Sequence, residues 1–194
     1  MSNANKEVID ILNNLIEYSK DGQKGFKEAA DDVKNPELKS FCVQRASDCA
    51  TAASELQAEV RRLGGDPETS TSFTGDLHRG WVNFKSLVTG KDDKAVLEEL
   101  ERGEDYALKA YKDAREKLAK LGHGDVAVGH TTVGTTTGTT TLGNTTGVGA
   151  TTGLGATTTA AASGPYALVE KQLQGVQKNH DDVKARRDAA RAAS

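Results

Sequence analysis

The chain lacks an excess of basic charge: 25 Lys and Arg stand against 28 Asp and Glu, a net charge of −3. That excludes a general nucleic-acid binder, because neutralising phosphates requires a basic surface. It also lacks any apolar run approaching the roughly 18–20 residues that span a bilayer. The N-terminus, MSNANKEVID, has none of the apolar core of a signal peptide, so a soluble cytoplasmic protein without a membrane span is expected. There are only two cysteines, Cys42 and Cys49. Seven residues apart on one helix, their Cα atoms would lie about 10 Å from each other, too far for a disulfide. Without a second cysteine pair or a nearby His they do not make a zinc-site spacing either. No Gly-rich phosphate loop and no strand-turn-helix nucleophile motif is present.

What the chain has is helical periodicity, interrupted once. Between Gly122 and Ala160, 15 Thr and 10 Gly fill 25 of 39 positions, and Asp125 is the only charge. Glycine opposes helix and threonine favours it poorly, while the few Val and Leu there cannot build a core. The segment therefore reads as a low-complexity linker whose Thr-Gly texture could support transient pairing. The chain divides into 1–121, holding three long helices and a crossover helix, the Thr/Gly-rich linker 122–163, and a last helix in 164–194.

Along the first helix, Val8, Leu12, Leu15, Ser19, Gly22, Phe26, Ala29 and Val33 alternate steps of three and four, which makes one stripe. Asn35-Pro36 stops it, and Asn35 can cap a second helix. The second stripe reads Leu38, Cys42, Arg45, Cys49, Ala52, Leu56, Glu59 or Val60, and Leu63, ending at Gly64-Gly65. A shorter amphipathic helix is expected over 76–88, with Leu77, Trp81, Phe84 and Val88 on one face. Its His78-Arg79 and Trp81 read as pinning that helix to the rest rather than as a binding patch. Asp92 or Asp93 can cap a third long helix striped by Val96, Leu100, Glu104, Ala107, Tyr111, Ala114, Leu118 and Leu121. The fourth starts at Gly164-Pro165 and carries Tyr166, Val169, Leu173, Val176, His180, Val183 and Arg187. Lys184, Arg186, Arg187 and Arg191 near its end complement the helix dipole.

Four long helices with one apolar stripe each must share a core, so the pattern predicts an all-α four-helix bundle. A short first connection and a long second one imply the ferritin-like arrangement of up, down, down, up, with a crossover between helices 2 and 3.

The stripes turn polar near mid-height, at Ser19, Arg45, Cys49, Glu104 and His180. Two readings compete for this cluster. In one, Glu104 pairs with Arg45 or His180 in a buried network that fixes helix register. In the other, Glu104 and His180 hold a metal, iron, manganese or zinc, with Glu59, Glu101 and Gln177 at the margin. A di-metal site needs a Glu from two helices and a Glu-x-x-His from each of the other two. Here helix 4 offers Gln177 where a carboxylate belongs, helix 2 has no His, and an inward Arg45 would repel a cation. His123 and His130 flank the Thr/Gly segment too loosely to act as ligands.

Five motifs in order, LNNLIEYSKDGQKGFKEAADDV (12–33), ELQAEVRRLGG (55–65), LHRGW (77–81), LEELERGEDYALKAY (97–111) and VQKNHDDVKARRDAAR (176–191), resemble a bacterial family of ferritin-like four-helix-bundle proteins, a domain of unknown function. The resemblance covers about residues 5–120 and 165–190 and implies the bundle and its crossover; the Thr/Gly segment departs from the shorter linker expected there. Carried onto this sequence, the ferritin-like metal pattern keeps Glu104 and His180 and replaces a ligand by Gln177. The resemblance supplies no activity. The function expected is that of a cytoplasmic, non-catalytic bundle that self-associates or binds a protein partner, with a link to stress. The alternative is a metal-binding oxidoreductase or peroxide-handling protein with a degenerate waist site.

Overall fold

Helical periodicity and capping residues act together in what forms. A computed structural model describes residues 3–69, 92–123 and 164–192. Four long helices occupy them: α1 (Asn3–Asp32), α2 (Pro36–Arg62), α3 (Asp93–Leu118) and α4 (Pro165–Ala192). Among the described residues there is no strand. The expected crossover helix over 76–88, with His78, Arg79 and Trp81, lies outside the described residues, as do most of the Thr/Gly segment, the side chain of His123, and His130.

In α1 the expected stripe is buried at Val8, Leu12, Leu15, Ser19, Phe26, Ala29 and, just past the helix end, Val33; Ile9, Ile11 and Ile16 widen it. Pro36 then opens α2 at its first turn, where its missing N–H costs nothing. The Asn35 side-chain oxygen accepts from the backbone N–H groups of Glu37 (2.8 Å) and Leu38 (3.2 Å), satisfying donors that the helix start leaves orphaned. The two candidate caps of α3 divide the work. Asp92 caps, accepting from the Ala95 N–H at 2.9 Å, while the Asp93 carboxylate accepts from the Lys34 and Asn35 N–H groups at 2.9 and 3.0 Å.

At the end of α2, Gly64 takes φ 79°, the left-handed value that glycine adopts without penalty. The Gly65 N–H returns to the Val60 carbonyl at 3.0 Å, closing the helix end. A Cβ at Gly65 would meet Ile9 Cδ1 at 2.8 Å, so the chain passes α1 only because no side chain is there.

Helix directions follow from these contacts. The chain leaving α2 touches α1 first at Ile9, then at Asn13, whose side chain bonds Asp66 and Glu68 backbone (3.1 and 2.8 Å), and then at Lys20, which donates to the Thr69 carbonyl. It thus climbs back along α1, in that helix's own direction. α3 begins at the opposite end, where Asp93 meets the α1–α2 turn, so α2 and α3 run the same way. α4 runs against α3: Arg115 faces Glu170 at 3.6 Å near one end and Arg191 meets Glu98 at 2.8 Å near the other. The order is up, down, down, up. α3 continues into a wider turn, Ala119–His123, in which Gly122 has φ 83°.

The core falls into two apolar halves. One joins residues such as Leu12, Ile16, Leu56, Tyr111, Leu118 and Val169; the other joins Phe26, Cys42, Val96, Leu100 and Val183. Phe26 and Phe41 meet edge to face at 6.4 Å in the second half. Burial of these side chains supplies the main driving force for the bundle. Between the halves lies a polar layer. The inward face of α4 is wider than expected: Val169, Leu173 and Val183 are buried as the stripe predicts, Gln172 and Asn179 are buried beside them, and at mid-height Asn179 rather than His180 is the interior residue. No helix among the described residues is long and apolar enough to cross a membrane.

Candidate functional site

The layer between the apolar halves encloses a cavity of about 280 Å³ to which all four helices contribute. Small residues make the space: Gly22 on α1, Ala52 on α2, Gly103 and Ala107 on α3, and Gly175 on α4. Polar side chains occupy the rest, among them Ser19, Cys49, Glu104, Tyr111, Gln172 and Asn179.

A hydrogen-bonded chain crosses this layer and takes one side chain from each helix. Gln172 Nε2 donates to the Glu55 carboxylate (2.9 Å) and to the Ala52 carbonyl (3.2 Å). Both partners can only accept, which fixes the amide with Oε1 toward Tyr111. Tyr111 must then donate to Gln172 Oε1, at 3.0 Å. A phenol has one proton, so the 3.1 Å contact between Tyr111 and Ser19 has Ser19 as donor, shared with its alternative acceptor, the Leu15 carbonyl at 2.9 Å. Ser19 Oγ therefore accepts nothing from Tyr111. Burial is the main cause that pushes the Tyr111 phenol well above its ordinary value, so it stays protonated and the direction of the chain is fixed.

Glu104 is 5% exposed and faces the same cavity. Among the described residues its carboxyl makes no hydrogen bond or ion pair. Burial raises it to about 8, Arg45 pulling it down and Asp105 adding to the rise. The Cys49 thiol is pushed up chiefly by burial, then by Glu104. Burial likewise lifts Cys42 to about 12, and both cysteines are free.

The expected cluster is thus rearranged. Ser19, Cys49 and Glu104 share the cavity. Arg45 is near, but its guanidinium donates to Asn179 Oδ1 and pairs with Asp48 at 2.7 Å instead of pairing with Glu104. His180 does not line the cavity; its ring nitrogens lie 2.9 Å from Asp105 and 3.1 Å from Asp181. The marginal candidates point elsewhere: Glu59 binds Arg62 (2.6 Å), Glu101 binds Arg187, and Gln177 donates to Asp181 (3.1 Å). Gln172, Asn179 and Glu55 are the site residues that periodicity missed. The signal for them was the i, i+7 spacing of two amides in step with Val169 and Val183. Among the described residues no three His, Cys, Asp or Glu side chains are grouped to hold a metal ion.

Residues 7–117 match the family described as Domain of unknown function (DUF2383). The chain belongs to this family. No curated protein matches the sequence. Among solved structures, this DUF2383 chain is similar to one described as "Crystal structure of ferritin like, diiron-carboxylate proteins from Bacillus anthracis str. Ames", with TM-score 0.61 and 16% identity over 95% of this chain and 98% of that one. At that identity the likeness shows the fold: the DUF2383 chain is a ferritin-like bundle.

Proposed function

We propose that this chain is a non-catalytic ferritin-like bundle that acts by binding, to further copies of itself or to a protein partner, and that its waist is not a redox metal centre. The similar structure is described as diiron-carboxylate, and two such ions need carboxylates from several helices at the waist. The donor set here does not fit. One observation carries the reading: Glu104 is the one buried carboxylate among the described residues, and the other buried polar side chains of its cavity are the amides Gln172 and Asn179 and the hydroxyls of Ser19 and Tyr111. Glu55 is committed to Lys171 (2.9 Å) and Gln172, and Asp48 to Arg45. Val43 on α2 and Tyr106 on α3 are large hydrophobic residues left 57% and 44% exposed, apolar area on two separate helices that a second copy or a partner can cover.

The test is metal content by elemental mass spectrometry on untagged protein purified without chelator, before and after iron loading, alongside sedimentation at several concentrations. Metal-free protein that stays empty after loading, with a concentration-dependent mass or a captured partner dependent on Val43 and Tyr106, is the expected result. Near-stoichiometric iron, manganese or zinc lost in Glu104→Ala and His180→Ala would instead establish a metal site, and turnover of peroxide or oxygen by the iron or manganese form would establish the oxidoreductase reading.

A further inference from the structure

We propose that the waist cavity is a binding site for a small organic ammonium ion, a primary amine with a short apolar body, whose charge is held by Glu104. The inference rests on the waist holding no metal.

The space is real in scale. A cavity of about 280 Å³ exceeds the roughly 150 Å³ void that suffices to take up benzene, and lies near the lower end of ordinary ligand sites. Glycine and alanine from all four helices contribute to its wall. A Cβ at Gly175 would meet nothing within 4 Å. The mouth is toward the α2–α4 side, where these helices touch along few positions. There the exposed Thr51 and the Lys171–Glu55 pair contribute to the lining.

Charge selects the occupant. Of the ionisable groups lining the cavity, Asp48 is matched by Arg45 and Glu55 by Lys171. Glu104 has no bonded partner among the described residues, and a buried carboxyl in that position is costly unless something pairs with it. A ligand carrying one positive charge supplies the pair and favours the ionised carboxylate, whereas an anion finds no cation there left to match it. A metal ion would need further ligands that the layer lacks, whereas an ammonium needs one carboxylate and acceptor lone pairs. Ser19 Oγ, which donates and accepts nothing from Tyr111, has lone pairs free on the same wall. The apolar body then packs against Ala107, Val176 and the glycine surfaces. The raised titration of Glu104 agrees with a carboxyl awaiting a cation.

The experiment is calorimetric titration of the full chain at pH 7.5 with n-butylammonium, n-butanol and butyrate, on a sample whose metal content is measured first. Binding of n-butylammonium at millimolar concentration, with butanol and butyrate at least tenfold weaker, is expected. Glu104→Gln should weaken it at least tenfold. Ala107→Leu, which fills the space and leaves the charge, should abolish it; thermal melting checks that both variants fold. Equal binding of butanol, undiminished binding by Glu104→Gln, or no binding by metal-free protein would overturn this inference and leave the proposed function standing. Stoichiometric metal in the sample would overturn both.

Discussion

Tyr111 on α3 donates its only proton to Gln172 on α4, across 3.0 Å, and this single donation orders the polar layer. Because Gln172 turns its amide nitrogen to Glu55 and Ala52 of α2, and Ser19 of α1 offers its hydroxyl to Tyr111, one phenol joins all four helices. A ferritin-like waist can thus be held together by a chain of hydrogen bonds that ends on one carboxylate, Glu55, in place of shared ligands, and the two apolar halves keep a common register through it.

Removing Tyr111's hydroxyl should cost more than removing Ser19's. Tyr111→Phe leaves the buried Gln172 oxygen without its donor, a loss of about 1–3 kcal/mol. Ser19→Ala removes a donor whose absence orphans nothing, since Tyr111 keeps Gln172; about 0.5 kcal/mol or less of hydrogen-bond energy is expected to be lost. Urea unfolding of both variants and of the double variant checks this. A Ser19→Ala effect as large as that of Tyr111→Phe would mean that the proton runs the other way.

Glu104 should make stability depend on pH. Its carboxyl titrates at about 8 in the folded chain against an ordinary 4.5, so the native state holds the proton more tightly than the unfolded state does. The resulting stabilisation is fully present below about pH 4.5 and is lost as pH rises through about 8. At about 1.4 kcal/mol for each pH unit of displacement, the effect is bounded at roughly 5 kcal/mol. Glu104→Gln, which keeps the shape and cannot ionise, should gain on wild type steadily between pH 5 and pH 8.5 in denaturant midpoints. The difference between the two proteins isolates Glu104 from the histidines, and a constant difference across that range would refute the assignment.

Both thiols should be inert in the folded chain. With Cys42 raised to about 12 and Cys49 pushed higher still by burial, the thiolate fraction at pH 8 is about a thousandfold below that of a free cysteine. Labelling by an aromatic disulfide should be slower by about that factor than in urea, where both thiols should react. Fast labelling of native Cys49 through the cavity mouth would contradict it.

The residues that sequence reasoning placed well and those it missed differ in kind. The α1 stripe, the Asn35 cap and the Gly64-Gly65 ending were legible because each depends on local chemistry: a 3.6-residue period, a side-chain acceptor before a helix, a residue free to take positive φ. On α4 local chemistry misled. Gln172 and Asn179 look like surface residues, and only partners contributed by α2 and α3 make them interior, so the stripe, right at Leu173, was drawn on through His180 and missed both amides. Arg45 fell to Asp48 and Asn179 for a related reason. Which of several acceptors a long side chain reaches is set by packing between helices, and spacing within α2 contains none of that. Glu104 was visible because it sits in step with Leu100, Tyr111 and Leu118; that it would stand without a bonded partner was not.

The segment 124–163 should be dispensable for folding. α3 and α4 run in opposite directions, and the end of one lies beside the start of the other, where Arg115 faces Glu170 at 3.6 Å and Leu121 packs into the same cluster as Tyr166 and Leu168. A connection of about eight residues is the ordinary length for antiparallel neighbours in a bundle. Replacing the 40 residues by such a Gly/Ser linker removes loop-closure entropy, and with (3/2)RT ln n the gain is about 1.4 kcal/mol. The shortened chain should melt a few degrees above wild type and keep the pH dependence that Glu104 confers. A large loss of stability would instead show that the Thr/Gly segment packs on the bundle, and the division of the chain at 122–163 would have to be redrawn.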